Sequence, residues 1–119
     1  MHSLRPDENL LIESHELILL SADRATGLPH QVQLQFTYED GMVYLLARGR
    51  DDTEWYQNLE QDRGVVLRVG RRSFRGQANL FRGAENQHAA RQIMTRLAQK
   101  YGSVGTQGEA LPVQVQVQF

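Results

Sequence analysis

The chain alternates hydrophobic and polar positions with a period of two over most of its length, and with a helical period in two stretches. His15 to Ala22 (HELILLSA) is apolar enough for a buried strand. Asp23 to Pro29 (DRATGLP) is a turn cluster. From His30 to Glu39, Val32, Leu34, Phe36 and Tyr38 fall on one face and Gln31, Gln33, Gln35 and Thr37 on the other, as in a half-buried antiparallel strand. Asp40-Gly41 is a strong short hairpin signal. It leads into Met42 to Ala47, a strand apolar on both faces and hence central, which Gly49 breaks. Asp51 or Asp52 is placed to cap a short helix over Thr53–Gln61, with Trp55 and Leu59 on one face. Val65 to Val69 and Arg72 to Phe81 are the next two strands. They are joined by a tight turn at Gly70-Arg71, with Phe74, Ala78 and Leu80 inward. Ala84 to Tyr101 is the longest predicted helix, with an apolar stripe of Ala90, Ile93, Met94, Leu97 and Tyr101 and Gly102 as its C′ residue. A glycine-rich loop over Gly102–Gly108 precedes the last strand, Val113 to Phe119.

The order is therefore β-β-β-α-β-β-α-β, with residues 1–13 a tail or lead-in and 14–119 a single domain. Hairpins dominate, which disfavours parallel winding and favours an α+β fold that closes an antiparallel sheet on itself. The glutamine faces of the second and last strands are uncharged. They suit solvent, and they also suit a contact with a second copy of the chain.

At 119 residues the chain fits one domain, and its 40% hydrophobic content supports a core without staples. It contains no cysteine, which excludes disulfides, thiolate metal sites and thiol nucleophiles and fits a cytoplasmic location. No apolar run approaches the ~20 residues needed to span a bilayer, and residues 1–9 lack a signal-peptide core. The net charge of −1 argues against a general polyanion binder, yet residues 63–82 hold six arginines and no acid. That segment is either a solvated strand face or an anion-facing surface.

No familiar catalytic constellation is present. The four histidines lack metal-ligand spacing, and there is no P-loop or nucleophile elbow. The acids Asp51, Asp52 and Glu54 sit where a helix N-terminus normally carries them. A protein without acid, base or nucleophile in such an arrangement that still does chemistry borrows it from a cofactor. Ala47-Arg48-Gly49-Arg50 followed by Trp55 offers a glycine break, two arginines, a helix N-terminus and an aromatic ring in one stretch. Trp55 also reads as a core anchor, the commoner role of tryptophan.

Trp55-Tyr56-Gln57-Asn58-Leu59 resembles the W-Y-x-N-L run of the deazaflavin-dependent nitroreductases, also described as quinone reductases, of the flavin-binding split-barrel superfamily. Val66–Ala78 (VLRVGRRSFRGQA) is similar to the V-x-V-G-x-R-x-(Y/F)-R-x-x-A segment of that family. Asp23–His30 is similar to its first hairpin, G-R-K-S-G-K-P-R. The resemblance covers residues 15–119. It implies a six-stranded split β-barrel with two helices, of the pyridoxamine-phosphate-oxidase-like, FMN-binding type. The implied cofactor is the 8-hydroxy-5-deazaflavin coenzyme or FMN, and the implied activity is hydride transfer to a small-molecule acceptor such as a quinone or nitro compound. The residues it implies for the cofactor are Arg24, Thr26, Gly27, Pro29 and His30 from the hairpin, and Ala47, Arg48, Gly49, Arg50, Trp55 and Asn58 from the second segment. It implies no side chain for catalysis and no metal, and a homodimer as the assembly. Two lysines and an arginine of the family pattern are here Ala25, Leu28 and His30. A planar-ligand binder without turnover on the same barrel is the alternative. A nucleic-acid binder using Arg63–Arg82 is a more distant one.

Overall fold

The computed structural model describes residues 6–49, 53–102 and 110–119. In chain order the elements are α1 (Pro6–Glu13), β1 (Leu17–Ala22), β2 (Pro29–Leu34), β3 (Thr37–Glu39), β4 (Met42–Arg48), α2 (Thr53–Gln61), β5 (Gly64–Val69), β6 (Arg72–Leu80), α3 (Ala84–Tyr101) and β7 (Ala110–Gln118). The strands form one curled sheet in the order β2-β1-β5-β6-β7-β4-β3, antiparallel throughout. The α+β antiparallel barrel expected from the hairpin-rich pattern is the fold observed. Arg50, Asp51, Asp52 and most of the glycine-rich loop lie outside the described residues.

Period-two patterning sets the two faces of the sheet. Leu17 and Leu19, Val43 and Leu45, Val65, Leu67 and Val69, Phe74 and Ala78, and Val113, Val115 and Val117 all point into one core. Trp55 and Leu59 enter that core from α2, and Leu11 enters from α1. The predicted stripe of α3 packs on the opposite face, where Ala90, Ile93 and Leu97 are buried against Leu46, with Tyr44, Met94, Tyr101 and Ala110 around them. Gly102 closes α3 at φ 91°, its N–H donating to Ala98 O. At the β3–β4 hairpin Asp40 and Gly41 have φ of 50° and 83°, both left-handed, as a two-residue turn of type I′ requires.

Three expectations are corrected. Residues 6–13 form a helix rather than a lead-in. It is tied down by Leu11 in the core, by Arg72 paired with Asp7 (2.9 Å), and by the Tyr38 hydroxyl donating to Glu8 Oε1 (2.9 Å). The second predicted strand is two strands, so the described residues hold seven strands and three helices, not six and two. The break falls at Gln35-Phe36, because the end of α3 takes the backbone groups that would continue the ladder. Phe36 N–H donates to Tyr101 Oη (3.2 Å), and the Tyr101 hydroxyl and Lys100 ammonium each lie 3.1 Å from Phe36 O. Pairing therefore passes from β1 to β4, which curls the sheet, and both Phe36 and Thr37 become buried. The last strand begins at Ala110, earlier than its alternating Val/Gln core suggested.

Candidate functional site

The outward face of β2-β1-β5-β6-β7 carries a cross-strand row. Gln31 pairs with Leu20, Leu20 with Val66, Val66 with Arg75 and Arg75 with Gln118. Side chains in register on one face of a sheet lie next to one another, so this row runs from one amide over two apolar residues and a guanidinium to a second amide. A cleft of about 460 Å³ opens over it, lined by Leu20, Ala22, Gly27, Pro29, Val66, Arg75, Gln77 and Gln118 among others. Its size is that of a small-molecule site, and its apolar floor with a few polar groups at the rim is the usual composition of one. The Arg75 guanidinium makes no ion pair or hydrogen bond with another described residue. A larger cavity, about 590 Å³, lies between α3 and Tyr44 and Gln114 of the sheet. It holds none of the residues that the resemblance implies for the cofactor. Its one arginine, Arg96, is already paired with Glu39 and stacked over the Tyr44 ring (5.2 Å).

One wall of the smaller cleft is the β1–β2 turn. Asp23 organises it: its Oδ1 accepts from Ala25 N–H (2.9 Å), Thr26 N–H (2.9 Å) and the Thr26 hydroxyl (3.2 Å). Donation from the Thr26 and Ala25 N–H groups holds the Asp23 carboxyl below its ordinary pKa. Gly27 N–H donates to Asp23 O (2.7 Å), and Leu28 N–H donates to Thr26 Oγ1 (3.2 Å). Arg24 N–H crosses to α2 and donates to Asn58 Oδ1 (3.1 Å), which also accepts from Arg24 Nη1 (3.0 Å). Every backbone N–H from Arg24 to Leu28 thus has an acceptor, and the turn offers a phosphate no open backbone donor. Gly27 adopts φ 74°, a conformation that favours glycine.

The structure brings some of the expected residues together and separates others. Gly27 and Pro29 line the cleft. Arg24 and Asn58 meet each other, and Thr26 is consumed inside the turn. His30 faces Ser21 across the β1–β2 pair. Ala47 is buried at the end of β4, Arg48 follows it opposite Ala110, and Gly49 turns at φ 65°; none of the three lines the cleft. Arg50 lies outside the described residues. Trp55 is 1% exposed and Asn58 is 0% exposed, so both sit in the core where α2 meets the barrel. Ser21 Oγ, His30 Nδ1, Trp55 Nε1 and Asn58 Nδ2 are buried without a hydrogen-bond partner. Unpaired buried polar atoms are uncommon and point to a bound water or ligand group nearby. Leu20, Val66, Arg75, Gln77 and Gln118 are not among the residues that the resemblance implies for the cofactor. The signal was there for Arg75 and Gln77: with Phe74 and Ala78 inward, the alternation of β6 turns both outward, and Arg75 belongs to the arginine-bearing motif quoted above.

The curled antiparallel sheet, with α1 and α2 entering its core, is a split-barrel fold. The model of the F420H(2)-dependent quinone reductase family matches residues 8–118, and the chain belongs to that family. The cofactor class that goes with this membership is a deazaflavin or a flavin. Solved structures share the fold at low identity. An F420 reductase matches at TM-score 0.69 and 12% identity, covering 98% of this chain and 97% of that one. A FAD-binding protein from Mesorhizobium loti matches at TM-score 0.68 and 13% identity, covering 98% and 91%. The heme storage protein HutZ from Vibrio cholerae matches at TM-score 0.71 and 14% identity, covering 99% and 92%. No curated protein matches the chain.

Proposed function

We propose that the chain is a deazaflavin- or flavin-dependent oxidoreductase that passes a hydride to a quinone, a nitro compound or a similar small acceptor. The observation that carries this reading is the meeting, in the cleft beside the expected hairpin, of an apolar floor with the unpaired guanidinium of Arg75. Family membership supports it. The cofactor would supply the hydride. Leu20, Ala22, Val66 and Pro29 would hold its ring by burial, and Gln77 and Gln118 would hydrogen-bond its polar edge, since each amide both donates and accepts. Arg75 would hold a phosphate through charge-assisted bonds. The same outward face suits a second copy of the chain, and a homodimer in the cytoplasm is the assembly and location we propose.

The test is titration of the purified chain with FMN and with the 8-hydroxy-5-deazaflavin coenzyme, followed by visible absorbance and tryptophan fluorescence. At least one should bind, and reduced cofactor should then be oxidised by a quinone. Arg75→Ala should weaken binding roughly 10- to 100-fold, the equivalent of one charge-assisted bond of ~1.5–3 kcal/mol. Absence of binding by both cofactors would overturn the reading. Binding without oxidation by any acceptor would leave a planar-ligand binder.

A further inference from the structure

Arg24 and Asn58 both sit in stretches that point to a cofactor, and the expectation for each is direct contact with it. Their geometry shows a bond between the two residues themselves. Asn58 Oδ1 accepts two bonds from one residue, the Arg24 backbone N–H (3.1 Å) and Arg24 Nη1 (3.0 Å). Both partners are obligate donors, so the amide atom facing them must be the oxygen, and the orientation of the amide is fixed. Arg24 Nη1 also lies 3.4 Å from Glu54 Oε2 and 3.4 Å from Glu54 O. Glu54 and Asn58 are four apart on α2 and therefore share one face of the helix. One helix face thus grips one residue of the turn through its backbone and its side chain together.

The turn is otherwise closed on itself. Its remaining N–H groups are satisfied by Asp23 and Thr26, so it behaves as a small rigid unit. Among the described residues, every side-chain hydrogen bond tying residues 23–28 to another element goes to α2. Asn58 is 0% exposed, so losing its two bonds leaves a buried amide oxygen unpaired, whereas the contacts of the Arg24 guanidinium with Glu54 are exposed to water. The same turn supplies Gly27 and Pro29 to the cleft.

We infer that Asn58 is a positioning residue. Through Oδ1 it clamps the β1–β2 turn onto α2 and so fixes the cleft wall formed by Gly27 and Pro29. Neither it nor Arg24 needs to touch the cofactor for cofactor affinity to depend on them. The inference rests on the proposed function for its consequence, but the clamp itself is a property of the chain alone. It also makes a use of the buried W-Y-x-N-L helix that direct contact does not: Trp55 and Leu59 anchor α2 in the core, and Asn58 carries that rigidity out to the cleft.

The experiment measures amide hydrogen exchange across residues 24–28 together with affinity for FMN and for the deazaflavin coenzyme. The variants are Asn58→Leu, Asn58→Asp and Arg24→Leu. Asn58→Leu removes the acceptor; exchange at the turn should rise and affinity should fall about tenfold or more. Asn58→Asp keeps an acceptor oxygen toward Arg24 and should restore both. Arg24→Leu, a change at an exposed side chain that leaves the fold intact, keeps the backbone bond and should give a smaller shift in both readings. It carries the test if Asn58→Leu does not fold. Unchanged exchange at the turn in Arg24→Leu and Asn58→Leu would overturn the clamp. Asn58→Asp that protects the turn yet binds as weakly as Asn58→Leu would overturn the positioning role in favour of direct contact through Nδ2. A parent chain that binds neither cofactor removes the proposed function, and with it the consequence for affinity, while exchange still decides whether the clamp exists.

Discussion

Single residues show most directly how packing and charge constrain this barrel. Gly76 sits on the inward face of β6, where a Cβ would meet Val115 Cγ1 at 2.6 Å and Gln116 O at 3.1 Å. The first neighbour is the branched end of a core side chain and the second is backbone, so neither yields cheaply. Gly76→Ala should cost about 1–3 kcal/mol as overpacking, read as a lower urea midpoint with an unchanged slope. Lys100 is the chain's only lysine. Desolvation by burial pushes its ammonium down to about 8, while its Nζ lies 3.9 Å from the centre of the Phe36 ring. Because the unfolded chain holds the proton more tightly, stability attributable to Lys100 should rise as pH climbs from about 8 to about 10.5 and be flat below that window. Tyr38 has the opposite sign. Desolvation, helped by its bond to Glu8, raises it from 10.0 to about 12, so its contribution is complete below about 10 and lost between about 10 and 12. The two windows overlap between about 10 and 10.5. The check is therefore the difference between the parent and Lys100→Met in thermal unfolding at pH 7 to 10.5, which isolates the lysine.

Among the elements, α1 decides whether residues before β1 belong to the domain. It has little amphipathic pattern of its own, yet Leu11 is wholly buried in the main core. Leu11→Ala should cost about 2–5 kcal/mol, the usual range for emptying such a site, measured by chemical denaturation. A disordered lead-in would give no change. Two polar bonds add to this anchor, Asp7 to Arg72 and Tyr38 to Glu8. The element was illegible in the sequence because its stability comes from one side chain and two partners distant along the chain, not from a helical stripe. The α3 stripe was legible for the opposite reason: it repeats over many turns, and periodicity survives without knowledge of the partner.

At the scale of the molecule, α3 covers the outward side of β4 and β7, while the outward side of β1 and β5 presents Ile18, Leu20 and Val66, all half-buried, with Arg68 of β5 and Arg75 of β6 beside them. The homodimer proposed above would cover this face. Light scattering at high micromolar concentration should give twice the chain mass; a monomer mass would remove the dimer and leave the cleft formed by one chain. No helix among the described residues is long and apolar enough to cross a membrane.

The sequence alone determined the alternation of the strands, the Asp40-Gly41 and Gly70-Arg71 hairpins, the α2 and α3 helices and the family motifs, because each is written in neighbours along the chain. Tertiary structure decided the rest. The break at Phe36 exists because Tyr101 and Lys100, more than sixty residues away, claim its backbone groups. Arg24 and Asn58 were legible as important residues, but only the fold shows that they bind each other. Arg75 and Gln77 were legible as outward side chains, but only the register of β1, β5, β6 and β7 gathers them with Leu20, Val66 and Gln118 into one cleft. The reason is common to all three: local patterning fixes which way a side chain faces, whereas what it faces depends on which strands and helices come to lie beside it.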